Sequence, residues 1–245
     1  MSRQAREISR TGIYHVVYRG INRQDIFEEN KDFEKKMEIL DILKKEMNFE
    51  IYAYCFMTNH VHILIKESAP GDISLIMKRL LTKYAMWYNR KYQRSGALIA
   101  NRYKSKPVEV DEYFLPLVRY IHQNPLKAGI VDKIEDYKWS SYREYYMCSD
   151  AIADKEFVSE MLPAEEFIKY HQIEETECFF LGEKTTVSDE EIRRIIIKKY
   201  DIEPNSLAAL DKEKRNKLLH KFKKEFSIRQ IERVTGIARG VVQKV

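Results

Sequence analysis

Short apolar stretches alternate with longer segments of helical periodicity through the first half of the chain. Three stretches rich in β-branched and aromatic residues, and a fourth with local alternation, predict strands at residues 11–20, 49–57, 60–67 and 101–110. Apolar residues recurring every three or four positions predict helices at residues 30–47, 72–93 and 111–125. The polar pair Thr58 and Asn59 predicts a hairpin between the second and third strands.

The element order is strand, helix, strand, strand, helix, strand, helix. Its first six elements match the split β-α-β pattern of ferredoxin-like (RRM-like) domains, which predicts an α+β fold with an antiparallel sheet. We expect the first two helices on one face of the sheet and a free second face. Asn30 is the expected N-cap of the first helix, and Pro125 should end the third helix at about Asn124.

The second half of the chain predicts a helical extension. Residues 149–188 are acidic and helix-prone, which indicates a linker between a domain at residues 1–148 and a basic helical domain at residues 189–245. Four apolar residues around a turn at Gly236 have helix-turn-helix spacing, which predicts DNA binding by this domain. They are Ile231, Ile237, Val242 and Val245. Glu232 takes a position where such motifs usually carry a small residue.

Composition adds limits without choosing a function. The 245 residues carry a formal net charge of +5, which is compatible with an acidic partner such as nucleic acid. Three irregularly spaced cysteines form no zinc pattern and argue against a disulfide framework. The amino terminus lacks the apolar core of a signal peptide, and no apolar run approaches the roughly 20 residues of a membrane helix. We therefore expect a cytoplasmic protein without a membrane partner.

Two histidines in the third predicted strand are candidate metal ligands. His60 and His62 are two residues apart, so they point to the same face of a strand and can bind one divalent cation together. Tyr120 and Asn124 lie four apart on a predicted helix and share its face. A tyrosine oxygen can act as a nucleophile and an amide oxygen as a metal ligand. Alternatively, the histidines are ordinary polar residues of a sheet, and Tyr120 is one of 16 tyrosines with packing roles.

Several segments together resemble one family. "MTNHVHILI" (residues 57–65) resembles the His-hydrophobic-His (HUH) motif of the single-tyrosine (Y1) transposases of the IS200-like superfamily. "VRYIHQNPLKAGIV" is similar to their tyrosine helix, in the form found in the branch associated with repetitive extragenic palindromes (REP). "YRGINRQDIF" also resembles this branch, although Ile21 replaces a commonly polar residue. The resemblance covers roughly residues 8–145 in order, and the combination is more specific than any single motif.

The resemblance implies a mechanism and a substrate. Tyr120 would attack a phosphodiester of single-stranded DNA and become linked to the 5′ phosphate. His60, His62 and Asn124 would hold Mg²⁺ or Mn²⁺. The substrate would be a DNA hairpin with a short single strand beside it, bound by a monomer, although a dimer that lends Tyr120 to its partner stays open. The candidate DNA-binding residues are Arg19, Asn22, Arg23, Arg102, Tyr103 and Lys104, with Arg229, Gln230 and Arg239 in the extension.

Other interpretations remain open at this stage. A replication initiator or relaxase uses a similar histidine pair and tyrosine, but usually in another order. A metal-dependent hydrolase lacks support, because no aspartate follows the histidines at a ligand spacing. A domesticated protein that binds repeats without cutting them is the alternative of a different class. His15, in the first strand, either flanks the site or is a core histidine.

Overall fold

The computed structural model describes residues 7–100, 102–109, 111–147, 151–173, 189–226 and 228–244. The chain divides into two compact units, residues 1–181 and residues 182–245. Within the described part of the chain, no helix combines the length and the apolar character that crossing a membrane requires.

A four-stranded antiparallel sheet forms the centre of the first unit. Its strands are β1 (Ile13–Arg19), β2 (Glu50–Met57), β3 (His60–Lys66) and β4 (Lys104–Pro107), in the order β2-β3-β1-β4. The helices that alternate with them are α1 (Asn30–Met47), α2 (Asp72–Lys91) and α3 (Asp111–Lys127). Met57 pairs with His60 across the predicted hairpin. The α+β class and the ferredoxin-like order of elements are thus confirmed.

One face of the sheet packs against α1 and α2. The strand residues on this face are Tyr14, Val16 and Tyr18 from β1 and Val61, Ile63 and Ile65 from β3. They form one apolar cluster with residues of the two helices, among them Leu40 and Leu80. Alternate residues of each strand point the opposite way, as the period of two requires, so His62 and Leu64 belong to the second face.

The second face is covered, so the expectation of a free face is wrong. It packs against α3, α4 (Lys155–Met161) and α5 (Ala164–Gln172). The cluster on this side includes Leu64, Leu117, Ile121, Val158 and Phe167. The physical reason lies in β2, whose residues from Ile51 to Met57 are all buried. A strand that is apolar on both sides needs packing partners on both.

The first helix begins with a different cap from the one that the sequence suggests. The N-cap of α1 is Glu29, and Asn30 is the first helical residue. The buried Asp32 carboxylate accepts hydrogen bonds from the backbone N–H groups of Glu28 and Glu29, at 2.7 and 3.0 Å. These bonds fix the backbone just before the helix. Glu29 is therefore the N-cap, and the helix starts at Asn30.

The third helix continues through Pro125 to Lys127, three residues beyond its predicted end. A proline inside a helix removes one backbone donor, here the N–H that would bond to Ile121 O. Asn124 compensates locally, since its Nδ2 donates to Tyr120 O at 2.8 Å and to Ile121 O at 3.3 Å. A side-chain amide thus replaces the missing backbone donor and lets the helix proceed.

The second unit is a small helical domain. Its helices are α6 (Asp189–Tyr200), α7 (Lys212–Glu225), α8 (Ile228–Thr235) and α9 (Arg239–Lys244), which share one apolar cluster. Gly236 lies between α8 and α9 with a φ of +71°, a conformation that glycine adopts without strain. The Glu232 carboxylate accepts a hydrogen bond from the Arg239 N–H at 3.1 Å, so it caps α9. Val245 lies outside the described residues, and the DNA-binding role of this helix pair stays a prediction.

A buried lysine stands out in the first core. Lys36 of α1 is fully buried, and its Nζ lies 5.0 Å from the centre of the Tyr18 ring and 4.7 Å from that of Tyr84. None of the described residues accepts a hydrogen bond from this Nζ. Burial lowers the pKa of Lys36 well below its usual value. The amine is therefore neutral in the folded protein at a pH where the unfolded chain carries the charge.

We expect Lys36→Met to stabilise the protein and to flatten its pH dependence. Between the lowered folded pKa and the unfolded value of about 10.4, the unfolded state binds one more proton at this site. The free energy of unfolding therefore rises with pH in this window, by up to about 1.4 kcal/mol per pH unit from this group. Urea unfolding at pH 7, 8 and 9 measures the slope, with the exposed Lys31→Met as the matched control. An unchanged slope in Lys36→Met would contradict the prediction.

Candidate active site

Strand β3 carries the two histidines on the face that packs toward α3. His60 pairs with Arg19 and His62 with Val17 in the β1–β3 ladder. The centres of the two imidazole rings are 5.2 Å apart. His62 is buried and His60 is half-buried, so the pair reaches from the interior to the edge of the domain. The shared face predicted from their spacing is present.

Helix α3 brings Tyr120 to these histidines within a single chain. The centre of the Tyr120 ring lies 5.7 Å from that of His62 and 6.2 Å from that of His15. The side chain is 2% exposed. Lys127, two turns further along the helix, places its ammonium 5.1 Å from the centre of the Tyr120 ring. A tyrosine, a cation and a histidine pair therefore meet without a contribution from a second copy of the chain.

The half-buried histidine has a defined orientation. His60 Nδ1 lies 2.7 Å from Asn59 Oδ1. An amide oxygen only accepts, so this nitrogen carries the hydrogen and the lone pair is on Nε2. Two further hydrogen bonds hold Asn59 in place. Its backbone carbonyl accepts a hydrogen bond from the Gly20 N–H at 2.9 Å, and its side-chain Nδ2 donates to the backbone carbonyl of Arg23 at 3.5 Å. In the neutral ring, His60 Nε2 is thus the nitrogen whose lone pair a metal ion would use.

The buried histidine contacts a third one. His62 Nδ1 and His15 Nε2 are 3.1 Å apart, and the two rings stack with centres 5.3 Å apart and an interplanar angle of 21°. Burial lowers the pKa of His15 to about 3, with a smaller contribution from the positive charge of Lys106. Burial also holds the pKa of His62 well below its usual range, helped by His60 and His15. Both rings are neutral near pH 7, so a single hydrogen lies between His62 Nδ1 and His15 Nε2.

These side chains suit a hard divalent cation. Two imidazole nitrogens, from His60 and His62, and the Asn124 Oδ1 form a nitrogen and oxygen donor set that Mn²⁺ and Mg²⁺ accept. The Asn124 Nδ2 is occupied by helix carbonyls, which leaves the oxygen as the atom for a ligand role. In the described parts of the chain, no group of three His, Cys, Asp or Glu side chains could hold a metal ion. Asn124 therefore remains a candidate ligand beside the two histidines.

The candidate DNA-binding residues divide by exposure. Side chains at the surface are Asn22, Arg23, Arg102, Lys104 and Arg239. Arg19 is half-buried and lies opposite His60. Tyr103 and Gln230 are buried, so they do not offer DNA the exposed ring and amide that we expected from the sequence. Tyr103 packs in the α1 and α2 core instead. The Arg229 side chain lies outside the described residues.

A second histidine pair lies on the other side of α3 and is structural. His122 Nδ1 is 2.9 Å from His171 Nε2, and His122 Nε2 is 2.7 Å from Ser141 Oγ. All three residues are buried among aromatic rings, and His171 Nδ1 donates to Phe167 O at 2.8 Å. His122 points off the face that carries Tyr120, as its position two residues further along the helix predicts. This network ties α3 to α5.

Comparisons with known proteins agree on a family. Residues 9–124 match the family model described as "Transposase IS200 like". A curated protein of Haemophilus influenzae, named as a REP-associated tyrosine transposase, is 28% identical over 105 residues, which are 38% of this chain and 59% of the relative. The chain thus spans a little over half the length of the curated relative that it matches. A solved REP-associated tyrosine transposase bound to a REP hairpin aligns with a TM-score of 0.56 at 17% identity. That alignment covers 75% of this chain and 98% of the other, and it supports the fold alone.

The sheet, the histidine pair and the helix-borne tyrosine all lie within the segment that this family model matches. Residues 9–124 resemble the IS200-like transposase family, whose model they match. In sequence the chain resembles the curated REP-associated tyrosine transposase, and the solved structure supports the fold.

We expect Asn124→Ala to destabilise the protein even when no metal is present. The substitution removes the donor that replaces the missing N–H of Pro125, and it leaves Ile121 O without that bond. The loss should be about 1 kcal/mol in the free energy of unfolding, measured by urea titration with a chelator. Asn124→Asp keeps an oxygen but no N–H, so it should lose as much. Wild-type stability in both variants would exclude this structural role.

Proposed function

We propose that this protein cuts and rejoins single-stranded DNA through Tyr120, in the manner of a REP-associated tyrosine transposase. The observation that carries the proposal is the 5.7 Å separation of the Tyr120 and His62 rings within one chain. This separation places a nucleophile beside a candidate metal site, which is the arrangement that metal-assisted attack on a phosphate requires. The match of residues 9–124 to the IS200-like transposase family model supports the same reaction class.

The proposed reaction at Tyr120 forms one phosphorus–oxygen bond for each one that it breaks. Its hydroxyl oxygen attacks the phosphorus in line and loses its proton, and a bond forms between this oxygen and the 5′ phosphate. The bond from phosphorus to the 3′ oxygen breaks, and that oxygen takes up a proton to leave as a 3′ hydroxyl. A 3′ hydroxyl can later attack the phosphotyrosine and restore a phosphodiester. Neither water nor a nucleotide cofactor is consumed.

His60, His62 and Asn124 are the proposed ligands of Mg²⁺ or Mn²⁺. When bound, the cation supplies Lewis-acid stabilisation of charge on the phosphate. The protein residues orient the reaction: α3 fixes Tyr120 against the sheet, and Lys127 puts positive charge over its ring. Because Tyr120 is 2% exposed, substrate binding must move a neighbouring side chain or the ring itself before the hydroxyl reaches a phosphate.

The proposed DNA path begins beside the metal site. Arg19 lies opposite His60 in the neighbouring strand. Arg23 follows β1 by four residues, and its backbone carbonyl accepts a hydrogen bond from the Asn59 side chain. Both are cations close to the expected scissile phosphate, and Asn22, Arg102 and Lys104 add exposed polar and charged side chains. Phosphate contacts of this kind position a strand without reading its sequence. The solved relative is bound to a REP hairpin, and we propose a hairpin with an adjacent single strand as the substrate here.

The second unit is a proposed duplex contact. Arg239 is exposed at the start of α9, and Arg229 belongs to α8. In helix-turn-helix proteins the second helix enters the major groove with its first residues toward the bases. The capped start of α9 is the end that such binding would present to DNA.

A covalent-adduct assay tests the reaction. Protein incubated with Mn²⁺ and labelled single-stranded oligonucleotides that span hairpins near its own gene should give a shifted band on a denaturing gel. Tyr120→Phe and a chelator should each abolish the band, because one removes the nucleophile and the other the cation. Tyr113→Phe, on the same helix and half-buried, is the matched control and should keep it. Hairpin binding without any adduct would favour the domesticated protein that binds without cutting.

Arg23→Ala should weaken DNA binding through a phosphate contact. Each neutralised phosphate of a single strand contributes about 0.7 to the slope of log K against log salt. We expect the slope for a single-stranded oligonucleotide to fall by about 0.7, measured by fluorescence anisotropy between 50 and 200 mM salt. Arg79→Ala is the control, since its guanidinium forms an ion pair with Glu46. Equal slopes in Arg23→Ala and wild type would remove Arg23 from the DNA path.

A further inference from the structure

We propose that His15 is a positioning residue for the metal site. Its Nε2 accepts a hydrogen bond from His62 Nδ1 and thereby directs the lone pair of His62 Nε2 toward the cation. This inference rests on the proposed function, because it requires His62 to be a ligand. His15 itself touches neither the cation nor the DNA in this arrangement.

The contact between the two rings is short and enclosed. His15 Nε2 and His62 Nδ1 are 3.1 Å apart, and the rings stack at 5.3 Å. His15 is 0% exposed and His62 is 5% exposed, so water does not compete for the bond. Their strands are hydrogen-bonded neighbours, with Val17 opposite His62, so His15 reaches it diagonally from two residues away. Two strands of the sheet therefore hold the contact.

Only one arrangement of the shared hydrogen suits a metal ion. If His62 Nδ1 carries it, His62 Nε2 has a lone pair and can bind a cation. If His15 Nε2 carries it, the hydrogen of neutral His62 lies on Nε2 and blocks that atom. Metal binding therefore requires His15 to be the acceptor. Ligating histidines commonly have such an outer partner, which fixes both the tautomer and the orientation of the ring.

The other ligand has a partner of the same kind. His60 Nδ1 donates to Asn59 Oδ1 at 2.7 Å, which again leaves Nε2 for the metal. Both rings thus use Nδ1 for an outer contact and present Nε2. One cation bound by both rings through these atoms would need both Nε2 lone pairs, and the two outer contacts assign the lone pairs there.

His15 does not have the geometry of a third ligand. Its Nε2 is the atom within hydrogen-bond distance of His62, and its Nδ1 is buried. No described residue bonds to that Nδ1. In the tautomer that binds metal, His15 Nδ1 carries a hydrogen that meets no acceptor among them. The cation can bind only this tautomer of the pair, so metal binding should shift the equilibrium toward it.

The test measures Mn²⁺ binding without DNA, from the electron paramagnetic resonance signal of free Mn²⁺. His15→Phe fills the space but cannot accept a hydrogen bond, and we expect its affinity for Mn²⁺ to fall roughly 10- to 100-fold. His15→Gln offers an amide oxygen near the position of Nε2 and should recover most of that loss. Tyr18→Phe is the matched control, because this buried residue of the same strand faces the α1 and α2 core and should leave the affinity unchanged.

The outcomes separate the two proposals. If wild-type protein binds no Mn²⁺, or if binding survives His60→Ala, the proposed metal site fails and His15 loses its role with it. If His60→Ala abolishes binding but His15→Phe binds like wild type, the metal site stands and the role of His15 is overturned. Complete loss in His15→Phe without recovery in His15→Gln would make His15 a ligand, which also overturns the proposal.

A second measurement needs no variant. Nitrogen chemical shifts of the His62 imidazole, recorded by long-range proton–nitrogen correlation with Mg²⁺ present, report which nitrogen carries the hydrogen. We expect the hydrogen on Nδ1. A hydrogen on Nε2 in the Mg²⁺-bound protein would overturn the proposal even if His15→Phe failed to fold.

Discussion

The register between β1 and β3 is the constraint on which the candidate site depends. It places Arg19 beside His60 and Val17 beside His62, with His15 two residues further along the strand. Because side chains alternate along a strand, a slip of one residue would turn the histidines into the α1 and α2 core. The apolar residues that alternate with them, Val61 and Ile63, oppose that slip, since they would have to leave the core. The packing of one face thus specifies the chemistry of the other.

Much of this arrangement can be predicted from local sequence patterns. The periods of two and 3.6 residues are properties of neighbouring positions, so they indicate four strands, three helices and the shared face of His60 and His62. The same local reasoning places Tyr120 and Asn124 one helical turn apart. These patterns do not bring the helix to the strand, because α3 lies outside the six-element pattern and the second face was expected to be free.

The features that escaped prediction depend on contacts between distant residues. The helices α4 and α5 cover the second face together with α3. Their acidic, helix-prone sequence suggests a linker, but Val158 and Phe167 lie in the core. The role of His15 depends on which strand pairs with β1, and the sequence of β1 alone does not show that pairing. The burial of Tyr103 also follows from tertiary packing. A pairing of β1 with β3, had it been assumed, would have shown His15 beside His62.

The dipeptide Asn124-Pro125 joins two requirements in adjacent residues. Proline removes a donor from the helix, and the asparagine amide restores it, so the nitrogen end of that amide is committed and the oxygen end is turned outward. A helix without the proline would leave the amide free to rotate between its two ends. The missing backbone donor at Pro125 therefore helps to fix the orientation of the side chain that precedes it.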